Sequence, residues 1–124
     1  MEGYKVTIKE SSRDFTARER IMFKDTSNAV KLDAAADAGN LVITVVDWAV
    51  LNIHNEKAKD KDYENYMLLG DDGTKYVTGS PSFWSAFGEI ADEMAGEQEP
   101  WAISVYKLDS KNFSGKQFLT CSIV

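Results

Sequence analysis

The sequence predicts a mainly β domain: a small five-stranded barrel with one helix between its third and fourth strands and an added hairpin at the N-terminus. Three observations point there. Segments rich in β-branched and aromatic residues recur along the chain, separated by turn clusters. The run from Leu41 to His54 is long for a single strand, and small closed barrels use such strands to pass from one side to the other. One stretch alone, Ser80 to Met94, has a capped helical pattern.

Taken in order, Tyr4-Lys5-Val6-Thr7-Ile8-Lys9 alternates apolar and polar residues as a half-buried strand does. Glu10 to Asp14 is polar and turn-like. Arg18 to Lys24 is expected as a second strand paired with the first. Asp25 to Asn28 reads as a loop. The alanines at 34–36 and 38 offer one helical turn, too short to hold alone. Residues 1–38 are thus expected to add strands to a barrel core formed by 39–124, within a single domain of 1–124.

The long strand from Leu41 does not alternate cleanly, which predicts a bulge near Asp47 or Ala49. Glu56 to Asp62 is charged apart from Ala58 and reads as an exposed loop. Tyr63 to Leu69 is a strand, Asp71-Asp72-Gly73 a tight turn, and Thr74 to Thr78 the returning strand. Ser80 then suits an N-cap and Pro81 the first helical position, where no N–H is needed. Phe83, Phe87, Ile90 and Met94 form one apolar stripe, Gly96 is a natural stop, and Pro100 bars continuation. Trp101 to Leu108 and Gln117 to Val124 are the last two strands, joined by a loop at 109–116. From residue 40 the order is strand, strand, strand, helix, strand, strand, which is that of the OB-fold. The alternative is an α+β domain with an antiparallel sheet and one helix.

Net charge is −6 and the pI about 4.7, so binding to phosphates needs local cations against the overall balance. The acids concentrate at Glu89, Asp92, Glu93, Glu97 and Glu99, a stretch without a base. With one cysteine the chain can form no internal disulfide, which fits a reducing compartment. The N-terminus lacks a basic-then-apolar leader and no apolar run has membrane-spanning length, so a soluble, cytoplasmic protein is expected.

Enzyme signatures are absent. His54 and Cys121 are the only residues of their kinds, so neither a zinc set nor a nucleophile with an oriented base can be read. His54 is expected to be a half-buried structural residue. Cys121 alternates with Leu119 and Ile123 and reads as core. No enzyme activity, metal or cofactor is expected. What is present is aromatic rings beside lysines. Lys57, Lys59, Tyr63 and Tyr66 lie in and after the first barrel loop. Lys75 and Tyr76 are on the third barrel strand. Tyr106, Lys107, Lys111, Phe113 and Lys116 surround the last loop, and Trp48 faces either the interior or the groove. An OB-fold gathers these loops and strands for oligonucleotides, with rings for bases and lysines along the backbone. Against this, aromatics are ordinary strand and core residues: Tyr66 and Tyr76 suit a cross-strand pair, and Phe83, Phe87, Trp101 and Phe118 are assigned to the core.

The segments Lys75-Tyr76-Val77-Thr78-Gly79-Ser80-Pro81-Ser82-Phe83 and Ser110-Lys111-Asn112-Phe113-Ser114-Gly115-Lys116-Gln117-Phe118-Leu119-Thr120-Cys121 resemble small single-stranded DNA-binding proteins of phages and mobile elements of Gram-positive bacteria. The resemblance covers the last half of the chain by motif. It implies an OB-fold that coats single-stranded DNA during phage replication without sequence preference. Many bacterial single-strand binders end in a flexible acidic tail, whereas this chain ends in the apolar Cys121-Ser122-Ile123-Val124. The competing expectation is an acidic protein-binding module, a phage-encoded modulator of a host nucleic-acid enzyme, acting through Asp92, Glu93, Glu97 and Glu99.

Overall fold

The computed structural model describes residues 3–39, 41–110 and 116–124. Among these residues seven strands form one strongly curled sheet, a half-barrel, with three helices packed against it. The strands are β1 (Tyr4–Ser11), β2 (Val30–Lys31), β3 (Leu41–Asn55), β4 (Asp62–Gly70), β5 (Lys75–Thr78), β6 (Trp101–Asp109) and β7 (Gln117–Ile123). The helices are α1 (Ala17–Lys24), α2 (Leu32–Asp37) and α3 (Pro81–Met94).

The sheet order is β2-β5-β4-β3-β6-β7, with β1 also on β3. All pairs are antiparallel except β2 with β5. β3 is the hub. One edge pairs with β4, and the other pairs first with β6 through Val45 and then with β1 from Ala49. The predicted bulge is present, as a register shift between Val45 and Asp47. Because side chains alternate along a strand, one extra residue moves every later side chain to the other face. Ile43 and Val45 therefore point toward α3, whereas Ala49, Leu51 and Ile53 point toward α1.

Two apolar layers result, one on each face. On the α3 face, Ile43, Val45, Leu68, Ile103, Val105 and Leu119 meet Phe83 and Phe87. On the α1 face, Ala49, Leu51, Ile53 and Met67 meet Phe15 and Phe23, whose rings stack at 4.6 Å. Cys121 is buried in the first layer, as its alternation predicted. Phe118, assigned to the core, is exposed instead.

The helix α3 forms as predicted. The Ser80 side chain accepts from Phe83 N–H, Pro81 opens the first turn, and Gly96 lies just beyond the end at φ +90°. The first third of the chain departs from expectation. Arg18 to Lys24, read as a strand, lies in α1. Thr16-Ala17-Arg18-Glu19 is a capping box in which Thr16 accepts from Glu19 N–H and Glu19 accepts from Thr16 N–H. That reciprocal cap outweighs the weak strand pattern after it, and Phe23 anchors the helix in the α1-face layer. Among the described residues there is accordingly no N-terminal hairpin: β1 pairs with β3. The alanine-rich segment does form a short helix, α2, whose first residue, Leu32, is buried. The edge of β5 carries the two-residue parallel strand β2, and no pairing joins β5 to β7 among the described residues.

Candidate nucleic-acid interface

Much of the predicted ring and lysine set is absorbed by packing. Tyr66 is buried and stacked on Trp84, with centroids 4.6 Å apart and planes 3° from parallel. Trp48 is half-buried, edge-on to Trp84 at 5.4 Å and to Phe87 at 6.3 Å. Tyr76 is half-buried against the same layer, and Tyr63 packs on the α1-face layer. Burial raises the hydroxyl pKa of both Tyr66 and Tyr76. The expected Tyr66–Tyr76 cross-strand pair does not form; their partners are Thr78 and Leu68.

Lys75 requires a correction. It is 7% exposed, and its Nζ donates to Met22 O at 2.9 Å and Asp25 O at 2.7 Å. These carbonyls lie at the end of α1, where unpaired acceptors and the helix dipole favour a cation. The ammonium is thus committed to holding α1 on β5. Lys107 pairs with Asp37 of α2, Nζ to Oδ1 at 2.8 Å. Lys57 and Lys59 are exposed in the loop after β3, and Lys116 is exposed just before β7. Lys111 and Phe113 lie outside the described residues.

These groups do not gather in one place. The Lys57–Lys59 loop follows the C-terminal end of β3, whereas β6 runs past the N-terminal end, where Leu41 pairs with Val105. The hairpin of β6 and β7 is therefore separated from that loop by the length of β3, about 45 Å of strand contour.

A different surface stands open. Ile103, Val105, Leu119 and Cys121 point into the α3-face layer, so the alternate residues of β6 and β7 point away from it. Cross-strand pairs on that side are Val42 with Ser104, Tyr106 with Thr120, and Leu108 with Phe118. None belongs to either packed layer. Val42, Leu108 and Phe118 are 56%, 46% and 38% exposed. Tyr106 is half-buried, and its hydroxyl is hydrogen-bonded to Ser122 Oγ. This face holds rings, aliphatic side chains and hydroxyls, and none of these residues carries a carboxylate. Sequence reasoning placed Tyr106 here but missed Phe118 and Leu108. The signal was available: if Leu119 and Cys121 are core, Phe118, next to Leu119 on the same strand, faces the other way.

Two further features lie away from this face. His54 bridges carboxylates, with Nδ1 2.7 Å from Asp62 Oδ1 and Nε2 2.6 Å from Glu56 Oε1. Those bonds, that to Asp62 first, raise its pKa. The acids Asp92, Glu93, Glu97 and Glu99 are all exposed, and none is in an ion pair with a described residue. Among the described residues, no group of three or more His, Cys, Asp or Glu side chains is placed to hold a metal ion, and no helix is long and apolar enough to cross a membrane. No protein-family model, curated protein or solved structure matches the chain.

Proposed function

We propose that this chain is a sequence-tolerant single-stranded DNA-binding protein of OB-like architecture, which protects or organises DNA during phage-type replication in the cytoplasm of a bacterial host. The observation that carries the reading is the open face of β6 and β7, where Tyr106 and Phe118 offer rings next to Leu108 and Val42 with no acid among them. Bases stack on such rings at about 1–3 kcal/mol each, without regard to sequence. The strand neighbours β5-β4-β3-β6-β7, with α3 between β5 and β6, support the OB-like part. The edge of β5 is occupied by β2, so the architecture proposed is an open variant of that barrel.

The net charge of −6 opposes phosphate contacts, and in this mode stacking supplies affinity that those contacts alone would not. Lys107, between Tyr106 and Leu108, is paired with Asp37, so Lys116 and, from the sequence, Lys111 are the next cations along the chain from this face. Two phosphate contacts give a salt slope of roughly −1.4, shallow for a nucleic-acid binder. The test is titration of fluorescein-labelled oligo-dT, read by anisotropy at two salt concentrations. Phe118→Ser and Tyr106→Ser are each expected to weaken binding about 5- to 150-fold, the range that loss of one stack sets. Lys57→Ala is expected to change it less than about threefold, as one remote exposed charge. No anisotropy change at low salt, or wild-type affinity in the Phe118 and Tyr106 double variant, would refute the reading.

A further inference from the structure

The side of β7 turned away from β6 has properties of its own. β7 is the last strand on its side of the sheet. Ser110 N–H donates to Lys116 O, and Val124 N–H donates to Ala102 O. These bonds fix the alternation: even-numbered residues of β7 turn their backbone groups to β6, and odd-numbered ones turn theirs outward. Leu119 O, on the outward side, accepts from Ser82 Oγ at 2.8 Å. The outward N–H and C=O groups of Cys121 and Ile123 have no such partner among the described residues. The accessible part of this edge is short, centred on Ile123 at 50% exposure, with Cys121 lining the groove at only 6%; an open edge is the feature to which an extended peptide adds.

A groove of about 460 Å³ runs beside this edge. Ala86, Ile90 and Met94, one turn apart on α3, give it an apolar wall, and Ile123 is 50% exposed at its floor. Glu89 and Glu93 form a second stripe along the same wall. Neither is in an ion pair with a described residue, and α3 contains no lysine or arginine. The spacing suits an extended chain. Side chains on one face of a strand recur every 6.6 Å or so, and residues four apart on a helix every 6 Å or so.

We propose that the open edge of β7 and the groove beside α3 dock an extended cationic peptide of another protein. The peptide adds as a strand to β7, sets apolar side chains against Ala86, Ile90 and Met94, and sets lysines or arginines against Glu89 and Glu93. Backbone pairing supplies the geometry. The acids select the charge and speed the encounter at low salt. This surface lies on the α3 side of β7, opposite Tyr106 and Phe118, and does not depend on what those rings bind.

The test uses a labelled peptide of repeated Val-Ser-Lys-Ser, in which one face alternates valine and lysine, and a control of repeated Val-Ser-Glu-Ser. Binding is read by anisotropy, and backbone amides by hydrogen exchange in the full chain. The lysine peptide is expected to bind about tenfold or more tightly than the glutamate peptide, and to slow exchange at Cys121 and Ile123. Glu89→Lys with Glu93→Lys is expected to abolish that preference. If that pair of substitutions impairs folding, Glu89→Gln with Glu93→Gln is expected to reduce the preference in the same direction. Equal binding of the two peptides, a preference that survives both pairs of substitutions, or binding without protection of Cys121 and Ile123 would overturn the proposal. So would concentration-dependent dimerisation of the free protein that protects the same amides, since the edge would then belong to a second copy of the chain.

Discussion

Replacing Lys75 with methionine separates a structural lysine from a DNA-binding one. Methionine keeps the apolar stem and deletes the ammonium, which donates to Met22 O and Asp25 O. Hydrogen bonds to a charged group contribute about 1.5–3 kcal/mol each, so two set a gross loss of roughly 3–6 kcal/mol. Part is returned, because methionine need not be desolvated as an ammonium is. Met22 O also keeps the N–H of Asp25, at 3.3 Å. The net loss expected for Lys75→Met is about 2–3 kcal/mol, within the range for a broken buried polar contact. At this chain length that lowers Tm by roughly 6–18 °C. Urea unfolding followed by tryptophan fluorescence reads the loss as a lower midpoint at unchanged slope. Oligo-dT affinity of the folded variant should stay within about twofold of wild type, because the ammonium does not reach a ligand on the surface. Unchanged stability together with a tenfold loss of oligo-dT affinity would refute this assignment and return Lys75 to the binding site.

Two solution measurements test the local electrostatics. The bonds to Asp62 and Glu56 raise the His54 pKa above its unfolded value near 6.5, so the stabilisation from these contacts is complete below about pH 6.5 and is lost as pH rises through the folded value. An NMR titration should place the His54 midpoint above that of the unfolded chain, and Asp62→Asn should bring it back toward it; a wild-type midpoint at or below the unfolded one contradicts the bridge. Burial pushes the Cys121 thiol up to about 11, which leaves on the order of 0.1% thiolate at pH 8 against roughly a quarter for a free thiol. Disulfide exchange with an aromatic disulfide reagent should therefore be over a hundredfold slower in the native protein than in urea, and equal rates would show that Cys121 is not buried.

The elements that local rules specify were legible. Ser80-Pro81 and the stripe behind it made α3, Asp72-Gly73 made a turn, and the mixed alternation after Val45 made a bulge. What failed was the first third of the chain and the allocation of faces. Arg18 to Lys24 has a nearly featureless apolar pattern, and only the Thr16–Glu19 cap distinguishes helix from strand there. Lys75 looked like a surface cation because its acceptors are carbonyls some 50 residues away in sequence, a pairing that no local pattern encodes. Tyr66 and Trp48 looked like free rings because Trp84, the ring that covers them, stands on a helix whose docking is tertiary. Phe118 is the opposite case. Its face follows from the core position of Leu119, and hydrophobicity alone misplaced it.

The bulge in β3 also has a consequence for the order of assembly. It lets one strand serve two layers whose parts are spelled out at different times. Every residue of the α1-face layer lies at or before Val77. The α3-face layer needs Phe83, Phe87, Ile103, Val105, Leu119 and Cys121, nearly all from the last third of the chain. On a ribosome, translating from the N-terminus, the first layer can close before the last third of the chain has emerged. Ile43, Val45 and Leu68 then wait uncovered on the other face of the same strands. The strand that joins the layers is thus a nascent-chain liability as well as a scaffold, and the interval before α3 emerges is when this protein is most open to misassociation.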